Sequence, residues 1–388
     1  MDFKQRILTA VNHEEPDRVP VMGLIMDTAT VNQILGKKNA DISTMLQQPQ
    51  SRAGLMEYMN SSWYEIYYGN FANALEAAAK LGFDANWTIY VLMQAAEDPE
   101  ARLGIAWHDV HGRVWEMGDV RGKGLTFNYS RPLCTTEDKW EACVEERTPL
   151  FDALVKQVAR FHRELVSRYG DRIMPIGYAA PGIFENSWQP IGFVNFTRFV
   201  YEKPDFVRRV IAFHTEWYLK CIDAVMQSGV EVVIGGDDLA QKTGPLMRPE
   251  LIDKLYGESY RRVSELVHSR GKKLIWHSCG NIYKLLDKFI EWGFDGTVTM
   301  EPTAGVELGK VREMVGHRLV LIGNLDVSYL LVRGTREEIE DAVKRAIRDA
   351  AGGGGYILSA SHSHPLVDGT RLGWMVEAAH KFGRYPLG

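Results

Sequence analysis

The chain has 388 residues, of which 45% are hydrophobic, so it is long enough to bury an extensive core. Its formal net charge of −5 argues against nucleic acid or an anionic membrane surface as a partner. No apolar run approaches the ~20 residues of a spanning helix, and the charged start of the chain lacks the apolar segment of a secretory signal. We therefore expect a cytoplasmic protein whose four cysteines, Cys134, Cys143, Cys221 and Cys279, are reduced thiols.

Apolar strands alternate with amphipathic helices along most of the chain. The patterns predict strands at 18–24, 83–87, 172–178, 230–236, 272–276, 294–299, 318–322 and 356–361. They predict helices at 2–12, 70–81, 150–169, 193–201, 204–227, 249–270, 282–292, 307–315 and 336–351. Eight strands separated by helices predict the α/β class, as a (β/α)8 TIM barrel in a single domain over residues 1–388.

Residues 103–133 depart from this alternation. Segment 106–115 alternates apolar and polar residues around a central turn, and segment 125–129 reads as another extended piece. A turn between two alternating segments is typical of a β-hairpin. We predict an antiparallel β excursion that lies on the barrel and is not a separate domain.

The most informative motif is His277-Ser278-Cys279, which follows the predicted strand 272–276. Residues two apart on an extended backbone present their side chains on the same face. An imidazole nitrogen and a thiolate sulfur are both good ligands for Zn²⁺. Because barrel enzymes build their active sites at the carboxyl ends of the strands, the motif predicts a metal site in the barrel mouth.

Catalytic zinc sites typically use three protein ligands and keep one position open, so the pair needs a further ligand. His362 ends the last predicted strand and is the favoured third ligand, with His364 and Glu301 as the alternatives. A lone histidine in such a position is more often a satisfied polar group. The nearby pairing of histidine and cysteine is what favours metal binding here.

Further carboxylates follow predicted strands and are candidate catalytic residues. Asp237 and Asp238 follow strand 230–236, Glu301 follows strand 294–299, and Asp326 follows strand 318–322. Such groups transfer protons or orient metal ligands. The alternative for Asp237, Asp238 and Asp326 is helix capping and loop solvation, which explains many Asp residues at strand ends.

Aromatic residues occur in two places. Phe184 and Trp188 lie in a Gly/Pro-rich segment after strand 172–178, where loop aromatics are expected to line a substrate pocket. Glu185 in the same segment is a weaker candidate acid or ligand. The aromatic residues of segment 63–71 have helical spacing, so we expect them to pack in the core.

Several segments together resemble the uroporphyrinogen decarboxylase superfamily, specifically its zinc-dependent, corrinoid-linked methyltransferase branch of O-demethylase and methanol-type enzymes. They are 4–8, 16–20, 235–239, 244–246, 277–280, 323–326 and 354–359. The resemblance implies a (β/α)8 barrel and zinc ligands in an H-x-C motif with a later cysteine. His277 and Cys279 match that motif, whereas His362 stands where the later cysteine is expected. The arginine-rich motif of the metal-free decarboxylases is not found near the N-terminus.

The resemblance implies transfer of a methyl group between a small substrate and the cobalt of a corrinoid (cobalamin) carried by a separate corrinoid-binding protein. The aromatic content favours a methyl ether, such as an aryl methyl ether, as the substrate. The sequence leaves the direction of transfer open. One alternative is a metal-free decarboxylase of the uroporphyrinogen decarboxylase type. The other is a barrel that has lost catalysis and serves as a scaffold for a corrinoid partner.

Overall fold

Eight parallel strands form the central sheet of the protein. The computed structural model describes residues 1–24, 27–37, 52–101, 104–119, 125–179, 181–363 and 366–387. The strands are β1 (Met22–Gly23), β2 (Ala85–Ile89), β3 (Met174–Ala179), β4 (Val232–Gly236), β5 (Lys273–Ser278), β6 (Gly296–Thr299), β7 (Val320–Leu325) and β8 (Tyr356–Ala360). They are hydrogen-bonded in chain order from β1 to β8. The predicted α/β barrel fold is confirmed.

The two outer strands of this sheet meet and close it into a barrel. Val21 forms a parallel bridge with Leu358, and the Leu358 amide donates to the Pro20 carbonyl at 2.9 Å. Strand β1 is much shorter than the predicted strand 18–24. A side chain replaces part of its ladder, because the Val21 amide donates to the carboxylate of Asp84 at 2.9 Å.

Helices surround the barrel and connect its strands. The α-helices in the described residues are Phe3–Val11, Thr28–Leu35, Arg52–Leu81, Glu137–Tyr169, Ile183–Trp188, Phe193–Glu202, Pro204–Met226, Pro249–Ser269, Leu286–Glu291, Leu308–Val315, Leu330–Arg333, Arg336–Ala350 and Gly369–Phe382. Short 3₁₀ turns occur at Tyr283–Leu285 and Pro302–Ala304. No helix in these described parts of the chain is long and apolar enough to cross a membrane.

A separate antiparallel sheet confirms the predicted excursion. Its four strands are Met93–Glu97, Ile105–Asp109, Arg113–Asp119 and Leu125–Pro132. Arg113 Nη1 donates to Gln189 Oε1 and the Tyr129 hydroxyl donates to the Gln189 carbonyl, both at 2.7 Å. These bonds attach the sheet to the barrel just after helix Ile183–Trp188. The first strand lies before the predicted range, because segment 93–97 carries little alternation.

The aromatic residues of segment 63–71 pack in the core, as the sequence predicts. Trp63 and Phe71 are 4% and 7% exposed. Between them Tyr67 contacts both rings, with centroid distances of 5.5 Å to Trp63 and 5.3 Å to Phe71. All of these residues lie on the helix Arg52–Leu81, which packs against the barrel at β2. They therefore do not support an aromatic substrate.

The expectation of four reduced thiols is wrong in this structure. Cys134 and Cys143 form a disulfide, whereas Cys221 and Cys279 are free. The chain brings the two sulfurs together because Cys134 is fixed by its amide, which donates to the Pro190 carbonyl at 2.8 Å. The helix Glu137–Tyr169 begins directly afterwards and carries Cys143 back beside it.

Candidate metal centre at the barrel mouth

Strands β4 and β5 bring three ligating side chains together at the carboxyl end of the barrel. Gly236 pairs with His277, so Asp238 follows β4 beside Cys279. The Nε2 atom of His277 lies 3.5 Å from the sulfur of Cys279 and 3.4 Å from Oδ1 of Asp238. The Cys279 amide donates to the same Asp238 oxygen at 2.9 Å. His277 belongs to the strand itself, because β5 continues past the predicted end to Ser278.

A second set of donors shares Cys279 and reaches across to β6 and β8. One ligand atom each from Cys279, Glu301 and His362 lies within 4.8 Å of the others. Glu301 is held by the Gly280 amide, which donates to Oε2 at 3.0 Å. The rings of His277 and His362 are 6.4 Å apart. The structure thus gives two overlapping groups, in which Cys279 is shared and His277 and His362 each stand with one carboxylate. His364 lies outside the described residues.

The electrostatics of this cluster suit a bound cation. Burial raises the pKa of the Cys279 thiol well above its usual value, and the charges of Asp238 and Glu301 raise it further. Burial also opposes ionisation of Asp238, but the hydrogen bond and charge of His277 outweigh it and lower the pKa of Asp238. A divalent cation favours thiolate and carboxylates alike. The mixed nitrogen, sulfur and oxygen donors fit Zn²⁺ in their chemistry.

Asp237 has a different environment from Asp238. It is fully buried and accepts hydrogen bonds from the amides of Phe184 at 3.0 Å and Glu185 at 2.9 Å. The Tyr260 hydroxyl donates to the same carboxylate at 2.8 Å. Burial raises the pKa of Asp237 to about 7, although these three hydrogen bonds oppose the shift. Asp237 therefore caps the start of helix Ile183–Trp188 and positions it under the mouth.

The predicted loop around Phe184 and Trp188 is wrong, because both residues lie on the helix that Asp237 caps. Phe184 is fully buried, and its ring packs against Tyr256 with the centroids 5.4 Å apart. It lines no open cleft in this conformation. Trp188 is half-buried, and its ring lies 6.1 Å from that of Tyr129 in the antiparallel sheet. Its role in substrate binding stays a prediction.

Asp326 caps a turn, which is the alternative to a catalytic role that the sequence left open. Its carboxylate accepts hydrogen bonds from the amides of Ser328, Tyr329 and Leu330 at 3.0, 2.7 and 3.1 Å. Burial opposes ionisation, but these amides lower the pKa of Asp326. The residue therefore caps the turn before helix Leu330–Arg333. It does not belong to either group of clustered donors.

Glu185 is more prominent than the sequence indicated. Its Oε2 accepts from the Asp238 amide at 3.2 Å and its Oε1 accepts from the Gln189 side chain at 2.7 Å. Burial raises the pKa of Glu185, and the charges of Asp238 and Asp237 raise it further. Its carboxylate therefore supports the backbone of Asp238 and lies behind the proposed ligands. The sequence named Glu185 only as a weaker candidate, because a single residue on a six-residue helix carries no periodic signal.

Two aromatic rings beside His277 were also not predicted as site residues. The rings of Trp87 on β2 and Tyr178 on β3 lie 5.5 Å and 6.0 Å from the imidazole. They lie 5.1 Å from each other. Tyr178 comes next to last in β3, whereas Trp87 is the central residue of β2. The sequence signal for both was their position at the end of the predicted strands 83–87 and 172–178. Together they form an apolar wall that fixes the orientation of the imidazole.

A cleft of about 370 Å³ opens beside His362. Its walls are mostly apolar and come from β1, β8 and the nearby helices; they include Met22, Leu24, Phe83, Val367, Leu372 and Met375. Asp27 and Thr30 add polar groups to this lining. Burial raises the pKa of Asp27 to about 6, while the charge of His362 opposes that shift. The cleft offers a mainly apolar chamber with a carboxyl group next to the donor cluster.

The fold and the mouth define a (β/α)8 barrel protein with a metal-ligand cluster where barrels place their active sites. The chain belongs to the uroporphyrinogen decarboxylase (URO-D) family, whose profile matches residues 129–382. The superfamily predicted from the sequence motifs is thereby confirmed.

In sequence, this chain is similar to a short part of several uroporphyrinogen decarboxylases. The uroporphyrinogen decarboxylase of Thioalkalivibrio sulfidiphilus is 32% identical over 79 residues, 20% of this chain and 22% of that protein. The Shewanella pealeana enzyme of the same name is 34% identical over 77 residues. The chain thus matches only about a fifth of the length of these curated relatives.

Similarity to solved structures extends over the whole barrel. A methyltransferase from Methanosarcina mazei has a TM-score of 0.67 at 18% identity, covering 98% of this chain and 99% of that one. A B12-independent methionine synthase from a Shewanella species has a TM-score of 0.53 at 8% identity, covering 94% and 96% of the two chains. At these identities the comparison establishes the shared fold.

Proposed function

We propose that this protein is a zinc-dependent methyltransferase that moves a methyl group between a small substrate and the cobalt of a separate corrinoid-binding protein. The observation that carries the proposal is two donor groups that share Cys279 at the barrel mouth, one with His277 and Asp238 and the other with His362 and Glu301. Family membership and the fold shared with a protein named a methyltransferase support it. We assign the protein to the cytoplasm.

The proposed ligands are His277, Cys279 and His362, with Asp238 and Glu301 as the carboxylates beside them. A bound Zn²⁺ supplies Lewis-acid activation of the heteroatom that carries the methyl group. Asp238 and Glu301 accept the amide hydrogens of Cys279 and Gly280, so they hold the loop after β5 in place. This arrangement pre-organises the sulfur of Cys279 toward the two imidazoles.

The cleft beside His362 supports a small, largely apolar methylated substrate. Its mainly apolar lining suits a methyl ether with an aliphatic or aromatic group. Asp27 offers a hydrogen-bonding group for a polar substituent. The sequence-based preference for an aryl methyl ether has less support, because the aromatic residues of segment 63–71 pack in the core.

The test is a methyl-transfer assay with the zinc-loaded protein. Methoxylated aromatics, methanol and methylated thiols are each incubated with reduced cobalamin, and methylcobalamin formation is followed by absorbance. We expect turnover with at least one donor class. His277→Ala and Cys279→Ala each remove a ligand and should weaken zinc binding at the mouth by at least ~100-fold, with loss of turnover. His362→Ala tests the third ligand in the same way.

Matched controls are available in the same chain. His317→Ala removes an exposed imidazole, and Cys221→Ala removes the other free thiol. Both should retain zinc at the mouth and methyl transfer. Full zinc content and activity in His277→Ala or Cys279→Ala would refute the ligand assignment. A protein that binds a corrinoid partner but never turns over would instead be a scaffold.

A metal-free decarboxylase is the second candidate, because the curated relatives carry the name uroporphyrinogen decarboxylase. The charge of the mouth disfavours it. The carboxylates of Asp238 and Glu301 lie among the clustered donors and would repel a polycarboxylated substrate. The decarboxylase predicts carbon dioxide release from uroporphyrinogen by the zinc-stripped protein, whereas the methyltransferase predicts none.

A further inference from the structure

Two histidines and two cysteines, residue types that can ligate zinc, line a cavity away from the barrel mouth, between the antiparallel sheet and two long helices. His111 is in the turn after strand Ile105–Asp109, and Cys134 follows strand Leu125–Pro132. Cys143 is on helix Glu137–Tyr169, and His214 is on helix Pro204–Met226. All four residues line one cavity of about 200 Å³, which we call the sheet–helix cavity.

The two imidazoles in this cavity lack the partners that buried polar groups normally have. His214 is 2% exposed, and both of its ring nitrogens are buried without a hydrogen bond. Nδ1 of His111 is in the same situation, and the two rings are 5.6 Å apart. Unpaired buried nitrogens are costly and uncommon, so they indicate a missing partner. Burial holds the pKa of both histidines well below the usual value, and neutral imidazole is the form that binds metals.

We propose that the sheet–helix cavity is a second zinc site, formed by His111, Cys134, Cys143 and His214 when the Cys134–Cys143 disulfide is reduced. Two cysteines and two histidines are a known ligand set of structural zinc sites, which have all four positions filled by protein. The site would therefore be structural. It is independent of the ligands at the barrel mouth and does not depend on the proposed methyl transfer.

The chemistry balances with a dithiol as the reductant. The dithiol gives two electrons and two protons to the protein disulfide, which becomes two thiols, while the dithiol becomes a disulfide. Zn²⁺ then displaces one proton from each thiol and binds the two thiolates. The reductant has a route of attack, because Cys143 is only half-buried whereas Cys134 is 1% exposed.

Both forms of the site connect the antiparallel sheet to helix Glu137–Tyr169. The disulfide joins the end of the antiparallel sheet to the first turns of helix Glu137–Tyr169. Zinc would make that connection and also reach the sheet turn through His111 and helix Pro204–Met226 through His214. A metal clamp would thus replace a covalent one in a reducing compartment. This also accounts for two cysteines in a protein that the sequence assigns to the cytoplasm.

The test removes the barrel-mouth site first, so that only one site is measured. The His277→Ala/Cys279→Ala double variant is treated with a dithiol, loaded with zinc, desalted and measured by elemental analysis. We expect about one zinc per chain after reduction and none in the disulfide form. Adding Cys143→Ser or His214→Gln should abolish that binding, whereas adding Cys221→Ser should not change it.

The unmodified protein provides a second test, which does not depend on whether a substituted variant folds. Its zinc content should rise by one per chain on reduction, in step with the appearance of two additional thiols. Substitution with Co²⁺ should then give the thiolate charge-transfer and tetrahedral bands of an S₂N₂ site. The proposal is overturned if reduction leaves the zinc content unchanged, or if the second zinc persists without Cys143. Neither result would affect the ligands at the barrel mouth.

Discussion

Asp237 and Asp238 are neighbours in sequence but have different roles in the structure. Asp238 faces the mouth, where its carboxylate contacts His277 and the amide of Cys279. Asp237 turns into the protein and caps a helix. The sequence predicted that carboxylates follow β4, but alternation along an extended chain does not say which of two adjacent residues faces the ligand. Only the partners across the barrel decide that.

Replacing Asp237 with asparagine tests its positioning role. Asn removes the charge and leaves one acceptor oxygen for three donors, so at least one buried donor loses its partner. We expect the free energy of unfolding to fall by roughly 2–3 kcal/mol. Denaturant unfolding of the metal-free protein measures this. The exposed Asp287→Asn on helix Leu286–Glu291 is the matched control and should be neutral; equal stability of the two variants would contradict the role.

The sequence predicted candidate ligands where their spacing or their position after a strand indicated them. The separation of His277 and Cys279 by one residue was sufficient to nominate a ligand pair on one strand. His362 was nominated from its position after β8. Glu185 carried no such pattern, because it reaches the mouth through the capped helix that the sequence presented as a loop. Cys134 pairs with Cys143 because helix Glu137–Tyr169 carries Cys143 back beside Cys134, and composition does not reveal that path.

At the scale of elements, the turn after β5 determines how Cys279 is presented. Gly280 has a φ of +82°, and its amide donates to Glu301. A Cβ atom there would lie 2.6 Å from the backbone carbon of Ala240. Ala240 belongs to a short antiparallel hairpin, Ala240–Gln241 paired with Gly244–Pro245, which follows β4. This hairpin packs directly on the turn, and a side chain at Gly280 would push the two apart.

Gly280→Ala should consequently weaken metal binding at the mouth as well as stability. Gly271 gives a matched comparison, because its φ is +68° and a Cβ there would have no neighbour within 4 Å. Gly271→Ala should cost only the left-handed backbone penalty, about 1–2 kcal/mol, with zinc affinity unchanged. Gly280→Ala should cost more and lower zinc affinity in a competitive titration. Equal effects of the two substitutions would show that the contact with Ala240 is unimportant.

The strand and helix pattern predicted all eight barrel strands, but the ends of several elements differ. Periodicity reports which residues are buried and does not report which hydrogen bonds are made. Thus β1 is shortened by the Asp84 carboxylate, and β5 extends through His277 because its parallel register with β4 and β6 continues. Helix Arg52–Leu81 begins well before the predicted segment 70–81. The (β/α)8 count was robust because it depends on alternation and not on boundaries.

For the molecule as a whole, ion pairs reinforce a barrel that is closed by few backbone contacts. Asp84, 1% exposed, accepts from Arg6 at 2.6 Å and from Arg18 at 2.8 and 2.9 Å. It also accepts from the Val21 amide. One carboxylate therefore connects helix Phe3–Val11 and the segment entering β1 to the start of β2.

Asp84→Asn should unfold the protein more readily than any surface substitution. It leaves the largely buried guanidinium of Arg18 without its counter-charge and takes one of two carboxylate partners from Arg6, which still pairs with Asp17. Breaking a buried ion pair in this way typically costs roughly 3–5 kcal/mol. Asp171→Asn breaks an exposed ion pair with Arg172 and should have no measurable effect. Thermal unfolding of both variants provides the comparison. An Asp84→Asn protein as stable as Asp171→Asn would mean that the barrel does not rely on this network.

We expect the barrel mouth to bind zinc through nitrogen and sulfur donors from β5. Anomalous diffraction at the zinc edge, from crystals of the zinc-loaded protein, would locate the ion. We expect a strong anomalous peak in contact with His277 Nε2 and Cys279 Sγ. A map with no zinc peak at the mouth, from crystals that contain zinc elsewhere, would contradict it.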